Sequence, residues 1–204
     1  MEEKIKALLL LGPTGAGKTP LGEVLEKRGF LNKKTHHFDF GATLRKITSE
    51  DIPFSPKEKT LIQSILKEGR LLKEEEFYLA EKILRSYLSY KQYQPDDWLV
   101  LNGLPRNLFQ AKQLEKLINV SFVVNLNIEL HTLKVRLYLD PAGDRKNRED
   151  DLDQLVEYKL SWFKRETLPL LDYYQRRAHI IHLQVGERDS GEDLYVKLCH
   201  LLKR

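Results

Sequence analysis

Gly12-Pro13-Thr14-Gly15-Ala16-Gly17-Lys18-Thr19 is the stretch whose reading decides the fold. It satisfies G-x-x-x-x-G-K-[ST] in full. Ahead of it runs Ile5 to Leu11, apolar except for Lys6, as a strand buried on both faces should be. Behind it Leu21, Val24 and Leu25 recur at helical spacing up to Gly29, a plausible stop. Strand, glycine turn and helix together make an anion cradle. Glycines let successive backbone N–H groups turn inward around phosphate oxygens, and the helix presents its positive end to the same anion. Lys18 brings a point charge to the outer phosphates, and the Thr19 hydroxyl is a ligand for Mg²⁺. Pro20 sits in the first helical turn, where no N–H partner is needed. A glycine-rich turn without a ligand is the bland alternative, and the flanking strand and helix argue against it.

Outward from the loop, Trp98 to Leu101, Ser121 to Leu126 and His179 to Val185 are further short apolar runs. Helical patterns lie between them at 57–67, 74–88, 107–118, 129–139 and 152–174. The alternation predicts an α/β fold of three layers, a parallel sheet flanked by helices. Two stretches interrupt it. From Gly41 to Lys73 there are helices without a strand, and Asp140 to Asp151 is polar, turn-forming and rich in both charges.

The 204 residues suit a single domain with small insertions. Apolar residues make up 41% and charged ones 31%, a globular composition. The net charge of +4 suits an anionic small molecule, but it is shared between the two halves rather than clustered, which weakens a nucleic-acid reading. One cysteine, Cys199, excludes an internal disulfide and a cysteine-rich zinc site. The run from Ala7 to Leu11 is too short for a signal peptide or a membrane span, so a cytoplasmic location is the expectation. His36 and His37 lack a third metal ligand and read as structural or exposed.

Four further segments follow in order: His37-Phe-Asp-Phe-Gly-Ala-Thr-Leu-Arg45, Gly69 to Phe77, Asn102-Gly-Leu-Pro-Arg-Asn-Leu-Phe-Gln-Ala111, and Arg148-Glu-Asp-Asp151. With the phosphate loop and Thr167 to Tyr174, they resemble the adenylate kinase family across nearly the whole chain. The resemblance implies a P-loop kinase core at 1–40, 74–139 and 152–204, a helical acceptor-binding insert at 41–73 and a short lid at 140–151. It implies phosphoryl transfer from Mg²⁺·ATP to a nucleoside monophosphate, AMP first among them, by a monomer. Gly12 to Thr19 would hold ATP. Arg45 and Arg106 would clamp the acceptor phosphate, as forked donors can. Gln110 would read the base, Gly103 would let the backbone approach it, and Leu72 and Phe77 would wall it. Lys18, Arg106 and Arg148 would act on the transferring phosphate, where charge neutralisation dominates.

The chain also departs from the family. Asn102 stands where an aspartate usually adds negative charge near Mg²⁺ or its waters. Asp140 and Lys159 match two lid arginines, with Arg145 a nearby substitute; lysine cannot form the bidentate clamp. Phe40 and Ala42 replace a threonine and an aspartate beside the acceptor. These changes leave two alternatives open: a P-loop kinase for another small acceptor, or a nucleotide-binding regulatory protein with weak or lost catalysis.

Overall fold

The computed structural model describes residues 4–50, 52–139, 157 and 160–203. Its centre is β1 (Ile5–Leu11), whose residues from Ala7 onward are buried on both faces. On one side β1 pairs with β3 (Trp98–Asn102) and on the other with β4 (Ile118–Asn127), both parallel. Outside these lie β2 (Thr35–Asp39) and β5 (His179–Gln184), giving the order β2-β3-β1-β4-β5. Consecutive parallel strands need crossovers, and helices supply them.

Alternation along β1 sorts the core into two layers. Ala7, Leu9 and Leu11 face one apolar cluster, while Leu8 and Leu10 face another. The second cluster is covered by α1 (Lys18–Arg28), through Leu21 and Leu25, and by α8 (Gly191–Leu202), through Leu194 and Leu198. The first is covered by α2 (Phe40–Ser49), α3 (Pro56–Glu68), α4 (Phe77–Tyr90), α5 (Leu108–Leu114) and α7 (Leu170–Tyr174). The expected three layers result, with α6 (Leu130–Leu139) following β4.

The stretch between Gly41 and Lys73 is helical. Ser55 and Glu58 close a capping box around Pro56 at the start of α3, and Gly69 ends that helix. A single 3₁₀ turn at Glu74–Glu76 then leads into α4, tied back to α3 by Lys82 on Glu58 at 2.7 Å.

The elements differ from the sequence expectation in several places, and the helix expected at 152–174 is broken among the described residues into a π-helical turn at Phe163–Thr167 and a separate α7. The helix expected at 107–118 stops at Leu114, and Ile118 and Val120 instead begin β4, three residues ahead of the expected run. β-branched side chains there pack onto the sheet. A fifth strand, β2, appears in Thr-His-His-Phe-Asp, too polar to read as buried. Its polar groups are paired inside: Thr35 donates to the Leu25 carbonyl, and His36 Nε2 meets Asp97 Oδ2 at 2.8 Å. Both histidines are buried, so they are structural rather than exposed. The C-terminal helix α8 also goes beyond the elements read from the sequence. Residues 140–156, 158 and 159 lie outside the described residues, among them Asp140, Arg145, Arg148 and Lys159.

Candidate active site

The phosphate loop, Arg45, Arg106 and Gln110 gather at the carboxyl ends of the strands, where open parallel sheets bind ligands. Leu11 ends β1 and opens directly into the phosphate loop; β3 ends at Asn102 and β2 at Asp39. A cleft of about 360 Å³ lies above these ends. Its walls include Gly12, Lys18, Thr19, Arg45, Arg106 and Gln110, drawn from three separate stretches of the sequence.

The loop is held by positive-φ glycines. Gly17 sits at φ 96° immediately before α1, a conformation that a side chain would resist, so the chain turns sharply into the helix. Ala16 packs fully buried behind the loop, and its N–H donates to the Pro13 carbonyl at 3.2 Å. Lys18 Nζ donates to the carbonyls of Gly12 and Pro13, both at 2.7 Å. The ammonium is therefore held over the concavity its loop encloses. An arriving phosphate competes for it with charge-assisted hydrogen bonds, which are about twice as strong as neutral ones.

On the β2 and β3 side, three side chains converge. Thr19 Oγ1 donates to Asp39 Oδ2 at 2.8 Å. Asn102 Nδ2 donates to Thr19 Oγ1 at 3.0 Å and to Asp39 Oδ2 at 2.9 Å. Asp39 Oδ1 meanwhile caps α2 by accepting from the Ala42 N–H at 2.8 Å. Behind them His37 is buried, with Nε2 3.4 Å from Asn102 Nδ2. Burial pushes the His37 imidazole below its ordinary value, against the raising pull of Asp39 and Glu26, so it is neutral near pH 7.

The cleft lining also carries arginines. Arg106 follows Gly103-Leu-Pro, and its backbone is pinned on both sides. Gln110 Oε1 accepts from the Arg106 N–H at 2.8 Å, and Thr167 Oγ1 donates to the Arg106 carbonyl at 2.8 Å. Burial pushes the half-buried Arg106 guanidinium down from its ordinary value, and among the described residues no carboxylate pairs with it. A desolvated cation facing a cleft favours an anionic ligand. Arg45, on α2, is exposed at the cleft edge. Arg70, by contrast, is already taken: Glu76 accepts two of its hydrogen bonds at 2.7 and 2.9 Å, and Glu68 a third at 2.9 Å.

Gln110 is 2% exposed, yet it lines the cleft. Because its Oε1 accepts from the Arg106 N–H, the amide is oriented with its NH₂ as the donor left for a ligand. Gly103, at φ 81°, and Leu72 also line the cleft. Phe77 does not. It belongs to the core cluster, edge-on to Phe109 with ring centroids 5.7 Å apart.

Two residues that sequence reading left unassigned belong here. Asp39 lies inside the segment from His37 to Arg45, but nothing in the spacing brings it to Thr19. Arg136, on α6, is 3% exposed. Its guanidinium donates to Gly15 O at 3.2 Å, Gly186 O at 2.7 Å and Asp189 O at 2.9 Å, which joins the phosphate loop to the segment after β5. An arginine three positions beyond Leu133 on the same helix face was the only available signal.

Phosphate loop, parallel sheet and arginine wall define a nucleotide-binding protein of the P-loop α/β class. The chain is 32% identical over 188 residues to an adenylate kinase of Prochlorococcus marinus (strain MIT 9211), covering 89% of each chain. It is 31% identical over 197 residues to one of Synechococcus sp. (strain WH7803), covering 94% of this chain and 95% of that one. An adenylate kinase of Cyanothece sp. (strain PCC 7425 / ATCC 29141) is 28% identical over 200 residues, covering 96% and 94%. No family model matches. The chain belongs to the adenylate kinase family.

Proposed function

We propose that the chain transfers the γ-phosphate of ATP to a nucleoside monophosphate, with AMP as the acceptor. The observation that carries this reading is Arg106: a half-buried guanidinium with no counter-charge among the described residues, its backbone locked by Gln110, in the same cleft as the Lys18 loop. Gly12 to Thr19 bind the triphosphate through loop N–H groups and Lys18. Arg106 and Arg45 hold the acceptor phosphate, and Gln110 offers its NH₂ to a base nitrogen. Leu72 gives the base an apolar wall, with Phe77 supporting it from the core. Gly103 admits the base close to the backbone. Arg148, in the proposed lid at 140–151, is assigned to the transferring phosphate, and the insert at 41–73 to the acceptor.

The donor set fits Mg²⁺ with ATP. Thr19 keeps an oxygen lone pair, and Asp39 places a carboxylate beside it. When bound, the cation neutralises phosphate oxygens as charge builds between the two nucleotides. No described helix is long and apolar enough to cross a membrane, and we infer a monomer that works in the cytoplasm without nucleic acid. Family membership favours this reading over another small acceptor or a regulatory protein.

A coupled assay of ADP production over AMP, CMP, UMP, GMP and dTMP tests it. Turnover with AMP above the other four is the expected result. Folded protein that turns over none of the five would overturn the proposal.

A further inference from the structure

Asn102 removes a negative charge from the end of β3, where the family's aspartate is expected, and Ala42 removes a second one at the start of α2. One side chain touches both positions. Asp39 Oδ2 accepts from Asn102 Nδ2 at 2.9 Å, and Asp39 Oδ1 accepts from the Ala42 N–H at 2.8 Å. Asp39 thus sets a carboxylate at the end of β2, one strand over from position 102.

We propose that Asp39 is the carboxylate of the magnesium site, balancing the cation carried in with the triphosphate and holding its water, with Asn102 as the residue that positions it. This rests on the nucleotide-binding reading given above. The hydrogen bonds around Thr19 carry the proposal. A hydroxyl has one proton and two lone pairs. The Thr19 proton goes to Asp39 Oδ2, and Asn102 Nδ2 occupies one lone pair. The second lone pair is left for a metal ion, and the nearest carboxylate is the one that already fixes the hydroxyl's rotation. Magnesium keeps several waters and takes one or two carboxylates beside phosphate oxygens, so a single well-placed aspartate is enough. Among the described residues no group of three His, Cys, Asp or Glu forms a cage, which leaves triphosphate and water to complete the shell.

The same arrangement gives a reason for the asparagine. An aspartate at 102 would bring two carboxylates to within about 3 Å of each other and would lose the donor that both Thr19 and Asp39 use. Asn102 is the isostere that supplies the missing N–H. An N-cap role alone does not account for the geometry, because capping engages only Oδ1.

Isothermal titration of ATP, with Mg²⁺ and with EDTA, separates the two roles without any acceptor present. The readout is the gain in ATP affinity that magnesium confers. Asp39→Asn should reduce that gain by about 10–100-fold, the usual effect of losing a residue that orients a metal's ligands, while metal-free affinity holds. Asp39→Ser, which keeps a good N-cap, should behave the same way with little change in Tm. Asp39→Asn combined with Asn102→Asp returns the carboxylate to β3 and should restore most of the gain. The proposal is overturned if both single variants keep the full magnesium gain. It is equally overturned if they lose affinity alike with and without metal, or if the double variant recovers nothing. Failure of the kinase reading looks different: wild-type protein would bind Mg²⁺·ATP normally and turn over no monophosphate.

Discussion

A half-buried cation whose charge is not offset is a liability until its ligand arrives, and among the described residues Arg106 is in that position. Its guanidinium is desolvated, its backbone is clamped by Gln110 and Thr167, and no described carboxylate offsets its charge. Function and stability should therefore separate at this residue. Arg106→Met keeps the stem and removes the charge, so kcat/KM for AMP should fall by roughly 10²–10³-fold, as when one transition-state donor is lost. Stability in chemical denaturation should hold or rise by about 0.5–2 kcal/mol, with ATP binding intact. A loss of stability equal to the loss of activity would assign Arg106 to the scaffold instead. Sequence reading reached Arg106, Lys18 and Gln110 because each sits in a local pattern. It did not reach Asp39 or Arg136, whose partners come from other elements: Thr19 and Asn102 in one case, the loops after β1 and β5 in the other.

At the scale of elements, β2 shows why a buried strand can be illegible. The other four strands announce themselves as apolar runs, whereas Thr35, His36, His37 and Asp39 leave Phe38 as the one apolar residue of the strand. The strand is buried because each polar group finds a partner, as burial requires. Glu26 accepts from the His37 N–H at 3.2 Å, and the Tyr87 hydroxyl donates to the His37 carbonyl at 2.7 Å. At its start, Asp97 pairs with His36 and accepts from the Gln94 N–H at 3.0 Å. Burial alone would raise the Asp97 carboxyl; the His36 bond and the Gln94 N–H outweigh it and hold Asp97 below its ordinary 3.8. A carboxyl depressed on folding stabilises the native state above its unfolded value, and that contribution is lost as pH falls through the folded one. Asp97→Ala should thus cost about 1.5–3 kcal/mol near pH 7. The gap to wild type in urea titrations should narrow below about pH 4, near the ordinary carboxyl range. A gap unchanged down to pH 2 would mean that packing, not charge, holds β2.

Across the whole molecule, the phosphate loop is fixed by elements distant from it in the chain. Arg136 ties Gly15 to the segment before α8, and α8 itself packs against α1, where Arg28 meets Glu192 at 2.8 Å. The contact is closest at Gly191, where an added Cβ would lie 2.5 Å from the Pro20 carbonyl oxygen and 2.7 Å from its carbon. Those are backbone atoms one residue past Thr19, so they cannot swing aside as a flexible side chain would. Gly191→Ala must instead push the two helix starts apart. Overpacking of this kind costs about 1–3 kcal/mol, and the displacement falls on the turn that carries Lys18 and Thr19. ATP affinity should drop together with Tm, although Gly191 lies outside the cleft lining. Titration calorimetry and thermal melts on one preparation would check both. A Gly191→Ala variant with lowered Tm and undiminished ATP affinity would mean that α8 supports the sheet without positioning the loop. That outcome would leave Arg136 as the link between the C-terminal third of the chain and the phosphates.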